Sequence, residues 1–348
     1  MFDAIMPVGG EYSVEIGGRW YGAEPDALGP IGGGVGYRAA VEPSGAVIST
    51  LDELLLRLAA AQPGEVLWLE GTAEIDCTER VHIEQLVLEV PGGVTLASDR
   101  GRRGSAGALI RSDTFQTRPL FRVLGPGVRF SGLRLQGPNP KRCNEHHRRS
   151  FGTAPDWQGG RGHEYYYKFP VSDGIEAAHD GLTVDNCELG GWSHAAIWLR
   201  AGRGHHIHHN FIHHNQYNGL GYGIAHDRAF SLIERNLFNW NRHSIAGTGN
   251  PGSGYEARHN VELGESLSHC FDMHGGRDRK DGTDVAGSWL KVRHNTFGSP
   301  ELALMVRGDP AEQVLVEHNW FYHATAAEAV RGENRVRFGD NVGGYRPA

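Results

Sequence analysis

The chain has 348 residues and a formal net charge of −7, with charges of both signs interspersed. That excludes the dense basic stripe of a nucleic-acid groove, and no stretch approaches the roughly 20 apolar residues of a membrane helix. Residues 1–10 lack the basic start and apolar run of a secretory leader, so the expectation is a cytoplasmic protein without membrane contact, other export routes staying open.

Residues 1–45 are glycine-rich and read as an irregular covering segment ahead of one domain spanning 46–348. Ser49 or Thr50 can cap an apolar-periodic stretch over residues 51–61, ended by Pro63-Gly64. A short helix there would plug an exposed first coil, which solenoids require. Short β-type runs follow at 66–69, 81–90, 94–98, 108–112, 120–124 and 128–137, punctuated by Gly and Pro with no helix between them. Two insertions interrupt the rhythm: a polar and aromatic stretch at 138–173 and a charged one at 275–287. Loops of that length on a regular scaffold are usually functional or disordered.

From residue 182 onward seven segments share one frame, an apolar residue, two positions, then usually asparagine. They anchor at Cys187, Asn210, Asn236, Asn260, Asn295, Asn319 and Asn341, mostly 22 to 26 residues apart with one gap of 35. A fixed period of this size marks a solenoid. Three strands and three turns fit it, so the expected fold is all-β, a single-domain right-handed parallel β-helix with loops flanking a groove. The 50 glycines suit its many turns. The anchor asparagines are expected in tight turns, tolerating a left-handed backbone and bonding along the stack. Four cysteines without C-x-x-C spacing give no disulfide framework, and burial is expected for Cys187 and Cys270.

The stretch VISTLDELLLRLAAAQPGEVLWLEG, then VPGGVTLASDRG, then the repeated His-Asn turns resemble the pectate-lyase-like superfamily over residues 45–345. The resemblance implies the parallel β-helix fold. It does not choose among lyases, glycoside hydrolases, epimerases and tailspikes. An Arg-x-Pro-x-x-Arg lyase motif and an Asp-Pro-His-Glu epimerase motif have no counterpart here.

Aligning the third strand of each coil gives an apolar inward column, Ile175, Ile197, Ile224, Ile245, Phe271 and Leu304. Side-chain alternation then produces two outward columns. One is Glu176, Trp198, Ala225, Ala246, Asp272 and Met305; the other is Ala178, Arg200, Asp227, Thr248, His274 and Arg307, with Arg331 at its end. The preceding turn adds His194, Asn218, His243 and His269. Strict alternation points His243 and His269 inward, whereas a reset at the turn puts them on the groove. The 20 histidines are a compositional anomaly, all but His82 lying between residues 146 and 323. The densest run, HHIHHNFIHHN at 205–215, is expected to form solvent-facing ladders away from the groove.

A wall of mixed cations, carboxylates and imidazoles suits an acidic, uronate-containing oligo- or polysaccharide. In β-elimination, Arg307 and Arg200 would clamp carboxylates, and His274 or His243 would abstract the proton. Asp272 would orient that histidine or hold Ca²⁺, while His269 stacks beside it. Trp198, Asp227, Tyr166 and Lys168 are candidate substrate contacts, with Tyr165 and Tyr167 beside them. Hydrolysis is the alternative, but Asp227 and Asp272 come out ~11–12 Å apart from strand spacing, too wide for the usual carboxyl pair; Asp278, Asp281 or Asp284 would have to supply the partner. A transition metal such as Zn²⁺ on His243, His269, His274 and Asp272 is a third reading, and a non-catalytic glycan-binding module a fourth.

Overall fold

The structure is a computed structural model that describes residues 11–138, 170–217, 219–332 and 335–347. Tyr165, Tyr166, Tyr167, Lys168, Asn218 and most of the first insertion lie outside them. The described residues form a parallel β solenoid whose coils present three walls. The first wall leads into the anchor asparagine (Thr183–Asp185, Gly254–Arg258, Trp289–Arg293 and Gln313–Glu317), and the second leaves it (Glu188–Gly190, Phe211–His213 and Leu237–Asn239). The third carries the aligned strands Asp173–Ala177, His243–Gly247, Phe271–Met273 and Leu304–Val306. Two long strands, Ala195–His208 and Tyr222–Glu234, run from the third wall round a corner onto the first. They fuse the two walls into one 17-stranded sheet beside the nine-stranded second wall.

The inward column is as the alternation requires. Ile175 pairs with Ile197, then Ile224, Ile245, Phe271 and Leu304 in unbroken parallel register, and all are fully buried. At the N-terminal end, helix α1 (Leu51–Ala60) lies over the first coil. Thr50 and Glu53 form a reciprocal cap, and Leu54 and Leu58 enter the core. The run at 81–90 is not one strand. Residues Thr78–Glu84 form helix α2, started by Asp76 accepting from the Thr78 amide at 2.9 Å and stopped by left-handed Gln85; only Leu88–Val90 is strand.

The asparagine ladder is continuous. Asn210 accepts from the Cys187 amide at 2.8 Å, and its own Nδ2 donates to Asn236 Oδ1 at 2.9 Å. The pattern repeats through Asn260, Asn295, Asn319 and Asn341. The left-handed residue, however, is the one before each rung: Asn186, His209, Arg235, His259, His294 and His318 have φ of 51–54°. The bend precedes the rung because the asparagine side chain must turn into the stack. A second ladder, Asn215 to Asn241 at 2.8 Å, stands at the next corner, again behind left-handed His214 and Trp240.

Residues 11–45 are not irregular throughout. They contain an antiparallel hairpin, Ser13–Ile16 with Arg19–Gly22, and run along the ladder turns. The Gly22 amide donates to His318 O and the Gly34 amide to Asn186 Oδ1. The expectation of solvent-facing ladders for the histidine run is overturned: His205, His208, His209 and His213 are buried. His209 Nε2 meets Asp26 at 3.2 Å and its ring packs on Tyr37. Burial pulls the His208 imidazole down to about 4 and that of His259, in a turn farther along, to about 3, so these stacked rings are neutral structural elements.

Candidate active site

Outward positions of the third wall gather an ionic cluster around Asp272. Phe271 and Met273 point in, so alternation turns Asp272 and His274 out onto one face. Arg307, one coil on, donates from Nε and Nη2 to the two Asp272 oxygens at 3.1 and 2.9 Å. His274 Nε2 lies 2.8 Å and His269 Nε2 3.2 Å from the same carboxylate, and His243 Nε2 3.7 Å. Asp272 is fully buried. Burial would raise its carboxyl, but the adjacent His269 and His274 rings and the field of His243 outweigh that and hold it well below the usual carboxylate range. The cluster therefore contains a fixed anion.

The open question about His243 and His269 is decided at the corner before the third wall. The amides of Ser244 and Ile245 both donate to Cys270 O, at 2.8 and 3.4 Å, so regular strand alternation is not carried from the histidine to its inward anchor. Both rings thus sit on the Asp272 side, stacked at 3.9 Å. His243 is fully buried there. Its Nδ1 contacts His269 O, and its Nε2 has no hydrogen-bond partner. Burial first, then the Arg242 guanidinium, push its imidazole well below its ordinary range, with Asp272 opposing. A group with no access to solvent cannot touch a substrate, so His243 is not the proton abstractor; it supports Asp272.

The register places Arg331 beside Met305 and therefore in the first outward column, not at the end of the second. Arg307 is no free clamp either, since its Nη1 also faces Asp278 at 3.6 Å. Arg200 is half exposed, lies over the Trp198 ring at 4.9 Å and approaches Glu176 only at 3.6 Å. It is a cation available to a ligand. Asp227 is held by Thr248 Oγ1 at 3.0 Å and Asn250 Nδ2 at 2.6 Å. Asp281 and Asp284 on the charged insertion pair with Arg279 and Arg277.

These columns enclose a cleft of about 100 Å³. Ala225, Ala246 and Gly247 make its floor, His194, Trp198 and Tyr222 one side, and His274 the other. From the His194 coil to the His274 coil is three windings, ~14 Å. Tyr222 and Asp173 were not singled out by the sequence reading, yet the signal exists. Asp173, Ala195, Tyr222 and His243 pair across successive coils, each two residues before an inward anchor. Asp173 is buried and bonds His194 Nδ1, whose ring meets Trp198 and Tyr222 edge-to-face. The cleft thus has a carboxylate-backed histidine at each end.

His243, His269 and Asp272 offer ligand atoms within 4.8 Å of one another. Two imidazoles and a carboxylate suit Zn²⁺ and not the all-oxygen preference of Ca²⁺. Arg307 nonetheless bonds both Asp272 oxygens, so a guanidinium already supplies the positive charge a cation would bring.

No protein-family model matches the chain, and no curated protein sequence does. Its fold is similar to that of an alginate lyase from Paenibacillus sp. str. FPU-7, with a TM-score of 0.52 over 85% of this chain and 98% of that one, at 14% identity. At that identity the likeness is one of fold alone: a mostly β, parallel architecture.

Proposed function

We propose that the protein is a polysaccharide lyase cleaving an acidic, uronate-containing glycan by β-elimination, on a right-handed, single-domain winding of the pectate-lyase-like type. The observation that carries this reading is His274 on the cleft wall, its Nε2 turned to the buried Asp272. That leaves Nδ1 as the nitrogen for a substrate proton. Arg200, stacked on Trp198, would pair with a uronate carboxylate and stabilise charge developing beside it. His274 would take the C5 proton; the C5–H electron pair forms the C4–C5 double bond as the C4–O4 bond breaks. Tyr222, which lines the cleft between Trp198 and His274, would protonate the departing O4. Asp272 and Arg307 are positioning residues.

Hydrolysis is the weaker reading. A hydrolase needs two carboxyl groups facing the sugar, whereas Asp173, Asp227 and Asp272 are each committed to partners at or beneath the cleft surface. The metal reading draws on the partnerless Nε2 of His243, and metal analysis of the purified protein addresses it.

The test is incubation with alginate, polygalacturonate and glucuronate-containing glycans. Absorbance of a new carbon–carbon double bond, lost in His274→Ala with an unchanged unfolding midpoint, supports the reading. New reducing ends without that absorbance would mark a hydrolase and overturn it.

A further inference from the structure

A second feature stands round the corner from the cleft, on the first wall, where the strands that carry Trp198 and Tyr222 continue. Outward positions there are mostly ion pairs, such as Arg258 with Glu234 and Arg293 with Glu256. Phe230 and Trp289 break that pattern. They occupy outward positions two coils apart with Gly254 between them in register, and their rings stack at 5.6 Å, 19° from parallel. A glycine is what permits this, because a Cβ at Gly254 would come within 3.2 Å of Phe230 Cε1. Arg203 lies over the Phe230 ring at 5.1 Å and Lys291 over Trp289 at 5.5 Å. Among the described residues neither cation is ion-paired. The rings border an open hollow of about 460 Å³, within the range of ligand sites.

The two rings are half-buried and open onto the hollow from an otherwise charged sheet. Where they border the hollow the rings offer apolar contact to the C–H groups of a sugar, and Arg203 and Lys291 over them match carboxylates on that sugar. We infer that this ledge is a second, non-catalytic binding site for an acidic oligosaccharide, holding polymer while the cleft works on it. The choice of ligand rests on the lyase reading; the ledge itself does not.

The experiment measures binding of alginate and polygalacturonate, with neutral dextran as control, by affinity electrophoresis and calorimetry. It uses His274→Ala, so that nothing is consumed, alone and combined with Trp289→Ala or with Arg203→Glu/Lys291→Glu. Binding of one acidic polymer should weaken roughly ten-fold or more in both combined variants, at an unchanged unfolding midpoint, with dextran unbound throughout. In the background of intact His274, Trp289→Ala should leave turnover of a short oligosaccharide unchanged and slow that of long polymer. Equal binding with and without the ledge substitutions overturns the inference, as does binding of dextran alone or of no polymer. Ledge-dependent binding without any double-bond product keeps the ledge and removes the lyase instead.

Discussion

One winding, residues 254–274, holds two buried carboxyl groups with opposite fates. Asp272 points out of the third wall into His269, His274 and Arg307 and stays anionic. Glu262 points into the interior from the second wall, paired in register with Phe238 and Phe297. Burial pushes its carboxyl up to about 8, with only the Ser244 hydroxyl opposing. The two are equally shielded from water, so burial does not separate them. Partners do: a carboxylate kept from water survives as an ion only where cations and donors surround it, and otherwise keeps its proton.

Removing the partner relation at Asp272 has the largest expected effect. Asp272→Asn leaves the Arg307 guanidinium facing a neutral amide inside the cluster, at a cost of roughly 3–5 kcal/mol. Denaturant unfolding should show it, together with loss of turnover. Glu262→Gln runs the other way. Since the folded-state carboxyl titrates at about 8, above its ordinary 4.5, its contribution is intact below about pH 4.5 and is lost as pH rises through 8. Relative to Glu262→Gln, the native protein should lose roughly 1.4 kcal/mol per pH unit across that window, read from unfolding midpoints at pH 5, 7 and 9. Equal pH slopes would erase the contrast between the two carboxyls.

Smaller effects sharpen it. Asn260→Ala removes the acceptor for the Asn236 amide and Nδ2, both at 3.0 Å, leaving buried donors unpaired for about 1–3 kcal/mol with turnover unchanged at a temperature where the variant is folded. The neutral histidine rings supply the smallest change. His208, His259 and His294 sit at about 4, 3 and 4, below the ordinary 6.5, so they favour the folded state above pH 6.5 and lose that contribution as pH falls toward 4. Nuclear magnetic resonance titration should find them uncharged at pH 5.5.

The repeating anchors, the apolar column and the outward placement of Asp272 and His274 follow from the sequence, because alternation along a strand and the coil period are local rules that nothing distant can change. The helix at 78–84 escaped because the apolar run at 81–90 reads as β-type, while the turn that starts the helix, where Asp76 accepts from the Thr78 amide, lies ahead of that run. What the sequence left open at His243 and His269 turned on the backbone at a corner, where two amides share Cys270 O. The burial of His209 depends on residues 11–45 folding back across the ladder to bring Asp26 and Tyr37 against its ring. Arg307 lies in its expected column, but whether it meets a substrate or Asp272 is a matter of rotamer and neighbour. Such outcomes belong to the tertiary structure, since each is set by a contact between segments that the chain's own periodicity does not bring together.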